Sequence, residues 1–123
     1  MNSSERLDLA EKLLDGGAFA GVWPRCAVWM IRLAVEHEID AVWRRRRTEV
    51  LACNRRTQLL ALGVVLDGEL QHRTTALWTA LSRAAHHHHY ELAPTAAELR
   101  SWLREARRLC AELAPPTDTK GSS

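Results

Sequence analysis

The sequence predicts an all-α fold, an up-and-down antiparallel bundle of four to five helices. Glycine and proline divide the chain into helix-length segments, at Gly16-Gly17, Gly21, Pro24, Asp67-Gly68, Pro94 and Pro115-Pro116. Between these breaks apolar residues recur at three- and four-residue steps, the period of a helix with one buried face. No strand-like alternation and no internal repeat is present.

The first helix is expected from about Ser4 to Asp15, capped by Ser3 or Ser4 and ended by Gly16, with Leu7, Leu14 and the Leu9/Leu13 pair as its apolar stripe. The second starts at Pro24, whose fixed φ suits a first helical turn, and runs to about Arg46. Its centre is apolar almost all round, so it should be the most buried helix. Trp29, Glu36 and Trp43 lie seven apart on one line of it. Thr48–Asn54 reads as a loop or a short turn. Asn54 is a candidate cap for a third helix, Arg55–Leu66. Asp67 can cap a fourth, running from Gly68 through Leu70, Leu77, Trp78 and Leu81 to about Tyr90. After Pro94, Thr95-Ala96-Ala97-Glu98 has the form of a capping box, in which the threonine and glutamate side chains each bond the other's backbone N–H. A fifth helix follows, with Leu99, Trp102, Leu103, Ala106, Leu109 and Leu113 at helical spacing.

The 123 residues suffice for one domain, read as residues 1–114, followed by a disordered polar tail at 115–123. No apolar run approaches the roughly 18 residues a membrane helix needs, and the charged Ser3–Asp15 stretch is unlike a secretory signal. A net charge of +2 excludes a polycationic nucleic-acid coat and leaves room for a local basic patch. Cys26, Cys53 and Cys110 are odd in number with no C-x-x-C pair, which reads as free buried thiols in a reducing cytoplasm.

Chemistry concentrates at Arg83-Ala84-Ala85-His86-His87-His88-His89-Tyr90. On a helix His86 and His89 are neighbours that could share a metal ion, but no Asp, Glu or Cys nearby completes a ligand set, so no metal and no cofactor is expected. The alternative is proton transfer, since histidine titrates closest to neutrality. At about 100° per residue, Arg83, His86, His87 and Tyr90 share one face, and His88 points toward the line of Leu77 and Leu81.

The order Arg83-x4-His88-x-Tyr90 resembles the signature of HEPN domains, small all-helical modules of prokaryotic toxins and RNA-cleaving defence proteins. The stretch Trp78–Leu99 looks most like an actinobacterial branch of HEPN-like proteins. The resemblance implies a homodimer in which Arg83 and His88 from two copies form one composite site. It also implies metal-independent RNA cleavage, with Tyr90 as a candidate target of a nucleotidyltransferase antitoxin. His87 and His89 remain alternative holders of the histidine role. Active members usually carry a polar residue after the arginine, where this chain has Ala84. That departure defines the rival expectation, a catalytically inactive module that binds RNA, a nucleotide or a protein partner.

The remaining candidates are basic. Arg44, Arg45, Arg46 and Arg47 end the second helix and, with Arg55 and Arg56, form a candidate RNA-phosphate contact; the alternative is a solvated, dipole-favoured helix end. Glu36 within an apolar helix requires either an arginine partner or an interface.

Overall fold

The computed structural model describes residues 1–16, 23–86 and 94–115, and within them the protein is an all-α bundle. Five α-helices follow one another: α1 (Ser3–Gly16), α2 (Trp23–Arg46), α3 (Arg55–Val65), α4 (Gly68–His86) and α5 (Ala96–Leu113). A 3-10 turn, Thr48–Ala52, occupies part of the expected loop between α2 and α3. Among the described residues no helix is long and apolar enough to cross a membrane.

The long α2 is the axis of the bundle, packing on α1, α4 and α5. Its buried side chains, Ala27, Val28, Ile31, Ala34, Val35, Ile39, Val42 and Trp43, form an unbroken core stripe. Full burial of each Val or Ile contributes roughly 1.5–3 kcal/mol. The expected tryptophan line divides: Trp43 is buried and Trp29 is 39% exposed. A seven-residue step drifts by about 20° on a straight helix, so two steps carry Trp29 out of the face that holds Trp43.

Helix ends follow local chemistry. Asn54 Oδ1 accepts the Thr57 N–H at 2.8 Å and Asp67 Oδ1 accepts the Leu70 N–H at 2.8 Å, as their positions predict. At α5 the reciprocal Thr95–Glu98 box is complete. Replacing Thr95→Ala should therefore lower stability by about 1 kcal/mol. A reduced urea midpoint with unchanged slope would register it.

The start of α1 differs from expectation. Asn2 and Glu5 form the reciprocal cap there, each accepting the other's backbone N–H at 2.8 Å. Ser3 is instead buried, donating to the Glu38 carboxylate at 2.6 Å. The buried face of α1 is Ser3, Leu7, Ala10 and Leu14, whereas Leu9 is exposed. Small Ala10 lets α1 approach its neighbours closely; Leu9 falls about 100° off that face.

Arginines fasten the helices together. Arg107 of α5 reaches Asp8 and Glu11 of α1, and Arg100 reaches Asp15. Arg73 of α4 pairs with Glu105 and Glu112 of α5. Numbering runs in opposite directions across the α1–α5 contact, so α5 lies antiparallel to α1. Gln58, buried at the start of α3, donates to the Cys53 carbonyl at 3.0 Å and accepts from Arg55, which ties the 3-10 turn to α3.

The thiols depart from the buried reading: Cys26 and Cys53 are exposed, and Cys110 is partly buried. Burial, reinforced by the negative charge of Glu38, pushes the Cys110 thiol up to about 12, so it stays protonated at neutral pH.

Candidate functional site

The site begins with a polar ribbon on the helix at the axis of the bundle. Arg32, Glu36 and Asp40 recur four apart along α2, which stacks them on one side. Each finds a partner. Arg32 Nε donates to Glu36 Oε2 at 3.2 Å. Trp78 of α4 donates its Nε1–H to the same oxygen at 2.8 Å. Arg55 of α3 lies 3.8 Å from Glu36 and donates to Asp40 at 2.7 Å. One carboxylate thus joins α2, α3 and α4. Glu36 has the arginine partner expected as one of its two alternatives.

Above this hub the Arg32 guanidinium lies over two indoles, 5.1 Å from the Trp29 ring centre and 5.7 Å from that of Trp78. These are cation–π distances. Beside the ladder opens a cleft of about 560 Å³ between α2, α3 and α4. Arg32 forms the α2 side and Arg56, Leu59 and Leu60 the α3 side. The α4 side carries Thr75, Trp78, Thr79, Ser82, Arg83 and His86, residues spaced at three- and four-residue steps along one helical face.

Arg83, the arginine of the sequence signature, therefore lines a cleft in company with Arg56 and Arg32. Arg83 and His86 are exposed in the last described turn of α4, where positive charge favours the helix dipole. Ala84 and Ala85 pack against the core. His87, His88, His89 and Tyr90 lie outside the described residues. Among the described residues no three His, Cys, Asp or Glu side chains gather where they could hold a metal ion.

The basic candidates separate. Arg56 lines the cleft. Arg55 is committed to Asp40, Gln58 and Glu36, so its charge is largely spent within the fold. Arg45 donates to the carbonyl of Leu113 at the end of α5, and Arg47 pairs with Glu49 on the surface. Arg44 and Arg46 are exposed. Arg32 and Trp78 escaped the sequence reading. The signal was there in the four-residue spacing of Arg32, Glu36 and Asp40 on an otherwise apolar helix.

No family model, curated protein or solved structure matches the chain.

Proposed function

We propose that this protein is a metal-independent, HEPN-like RNA endonuclease that holds its substrate at the α2–α3–α4 cleft. The observation that carries the reading is the meeting of Arg83 with Arg56, Arg32 and Trp78 around one cavity. Among the described residues neither Arg56 nor Arg83 has a carboxylate within ion-pair distance, so both charges are available to phosphates. Exposed cations and aromatic surface together suit single-stranded RNA, whose backbone is anionic and whose bases can stack.

In the proposed reaction the substrate 2′-hydroxyl attacks the adjacent phosphorus, and the bond to the 5′-oxygen breaks. The proton of the 2′-hydroxyl passes to a base, and another proton is delivered to the leaving 5′-oxygen. The products carry a 2′,3′-cyclic phosphate and a 5′-hydroxyl. Arg83 stabilises the charge of the phosphorane and His88 moves the proton, the two contributions such a route requires. His87 and His89 are the alternatives for that transfer, and Tyr90 is the proposed point of control by a nucleotidyltransferase antitoxin. The setting is the reducing cytoplasm.

A second copy supplies the complementary proton donor or acceptor in a symmetric dimer. Exposed Leu60 at the cleft and Val64 one turn further along α3 support such a contact, being 70% and 87% accessible in the single chain. Light scattering after size exclusion should give about twice the 13.9 kDa chain mass. A monomer at micromolar concentration would remove the composite site.

A second reading, RNA binding without cleavage, draws on Ala84, which follows Arg83 and packs against the core where active relatives of the motif carry a polar residue. Incubating the wild type and an Arg83→Ala/His88→Ala variant with total RNA under chelator separates the two. Cleavage by the wild type alone supports the enzyme. Retention of RNA without cutting favours the binding module.

A further inference from the structure

Polar groups buried in a protein are nearly always hydrogen-bonded, so a cluster of exceptions calls for an explanation. Four buried side-chain atoms lack a partner among the described residues. Trp43 Nε1 is one, in the core. The other three, Arg32 Nη1, Thr75 Oγ1 and Ser82 Oγ, belong to side chains lining the α2–α3–α4 cleft. The Arg32 guanidinium lies over the Trp29 ring and is fixed at its Nε by Glu36, and Trp78 is fixed by its own bond to that carboxylate. The cleft thus combines rigid π surfaces, unanswered donors and two arginines at its rim. At about 560 Å³ it falls within the roughly 300–1,000 Å³ of small-ligand sites.

We propose that this cleft is a base pocket: one unstacked RNA base lies against the Arg32–Trp78 surface, and the phosphate beside it is held by Arg56 and Arg83. The proposal rests on the RNA reading above and adds what part of the RNA the cavity takes. The charges call for an anion, yet Leu59, Leu60 and Trp78 give much of the wall an apolar character that a phosphate alone would leave unused. A nucleobase supplies both a flat face for stacking and edge acceptors, which the Arg32, Thr75 and Ser82 donors, buried in the cleft wall of the free protein, reach by turning toward it. Stacking of this kind tolerates any base, so the pocket should prefer unpaired over paired RNA with little sequence preference.

The test uses the whole protein and two probes, a ten-nucleotide oligouridylate and an abasic ribose-phosphate oligomer of the same length and charge. The wild type should bind the oligouridylate roughly 5- to 150-fold more tightly, the range expected from one base stacked on an aromatic surface. Its tryptophan emission should be quenched by the oligouridylate and unaffected by the abasic strand. Thr79 is exposed and lines the cleft, so Thr79→Met can obstruct the cavity without disturbing the core and without adding an aromatic surface. That variant should bind both probes equally, at the wild type's abasic affinity. Ser82→Ala removes one unanswered hydroxyl and should narrow the preference without abolishing it. Equal binding of the two probes by the wild type, with affinity still lost in Arg56→Ala/Arg83→Ala, would overturn the base pocket and leave the RNA reading intact. Failure of both probes to bind would overturn both.

Discussion

Single-stranded RNA incubated with the wild-type protein under chelator should be cut to products ending in 2′,3′-cyclic phosphate, and His88→Ala should nearly abolish the cut. A general acid or base contact contributes typically ~10²–10⁴ in rate, the loss expected when the proton transfer assigned to His88 is removed. Arg83→Ala should fall comparably, because the phosphorane loses the cation beside it. The His86→Ala variant separates chemistry from binding. His86 lines the cleft three residues from Arg83, so its loss should weaken RNA binding slightly and leave the cleavage step intact. Tyr90→Phe should cut normally and resist nucleotide transfer. Equal damage from His86→Ala and His88→Ala, measured as single-turnover rates at saturating protein, would sink the assignment of His88.

The second large effect concerns the fold. Glu36→Ala should destabilise the protein by about 2–4 kcal/mol. Breaking a buried charge pair by removing one partner typically costs ~3–5 kcal/mol, because the other charge stays buried and unanswered. Here the side chains of Arg32, Glu36 and Arg55 are 16%, 17% and 24% exposed, so water recovers part of that cost. Arg55 also keeps Asp40 and Gln58. Trp78 Nε1 and Arg32 Nε lose their acceptor outright. Glu36→Gln, which retains an acceptor oxygen and loses the charge, should fall between wild type and alanine. Urea unfolding at constant slope measures the difference. The surface pair Arg47–Glu49, with both side chains about 70% exposed, supplies the control: Glu49→Ala should leave the midpoint unchanged within error. A Glu36→Ala midpoint equal to wild type would mean that the carboxylate does not join the three helices.

Local signals carried most of the architecture. Asn54, Asp67 and the Thr95–Glu98 box mark helix starts because a cap depends on residues three apart, and that information is complete in the sequence. Asn2 takes the role expected of Ser3 because Ser3 has a better use, a partner 35 residues away in Glu38. Such long-range pairs are set by packing and leave no local trace. Less of the candidate cleft was legible. Arg83 draws attention through its spacing to histidine and tyrosine. Arg32, Trp78, Thr75 and Ser82 become visible only when α2, α3 and α4 are brought together, since no motif connects residue 32 to residue 78. Arg55 looks like a phosphate contact by its neighbours in sequence and becomes an internal tie once Asp40 and Glu36 face it.

The central claim is that RNA is held at the α2–α3–α4 cleft through Arg56 and Arg83. The salt dependence of single-stranded RNA affinity tests it most directly. For every phosphate that the protein no longer neutralises, the slope of log affinity against log salt should fall by about 0.7. Arg56→Ala/Arg83→Ala, which together release one phosphate, should therefore lower the slope by about 0.7 and weaken binding at low salt. Arg104→Ala/Arg108→Ala removes the same charge from the groove between α4 and α5 and should leave the slope near that of wild type. Equal slopes for the wild type and the Arg56/Arg83 variant, or equal reductions from both double substitutions, would contradict the cleft as the RNA site.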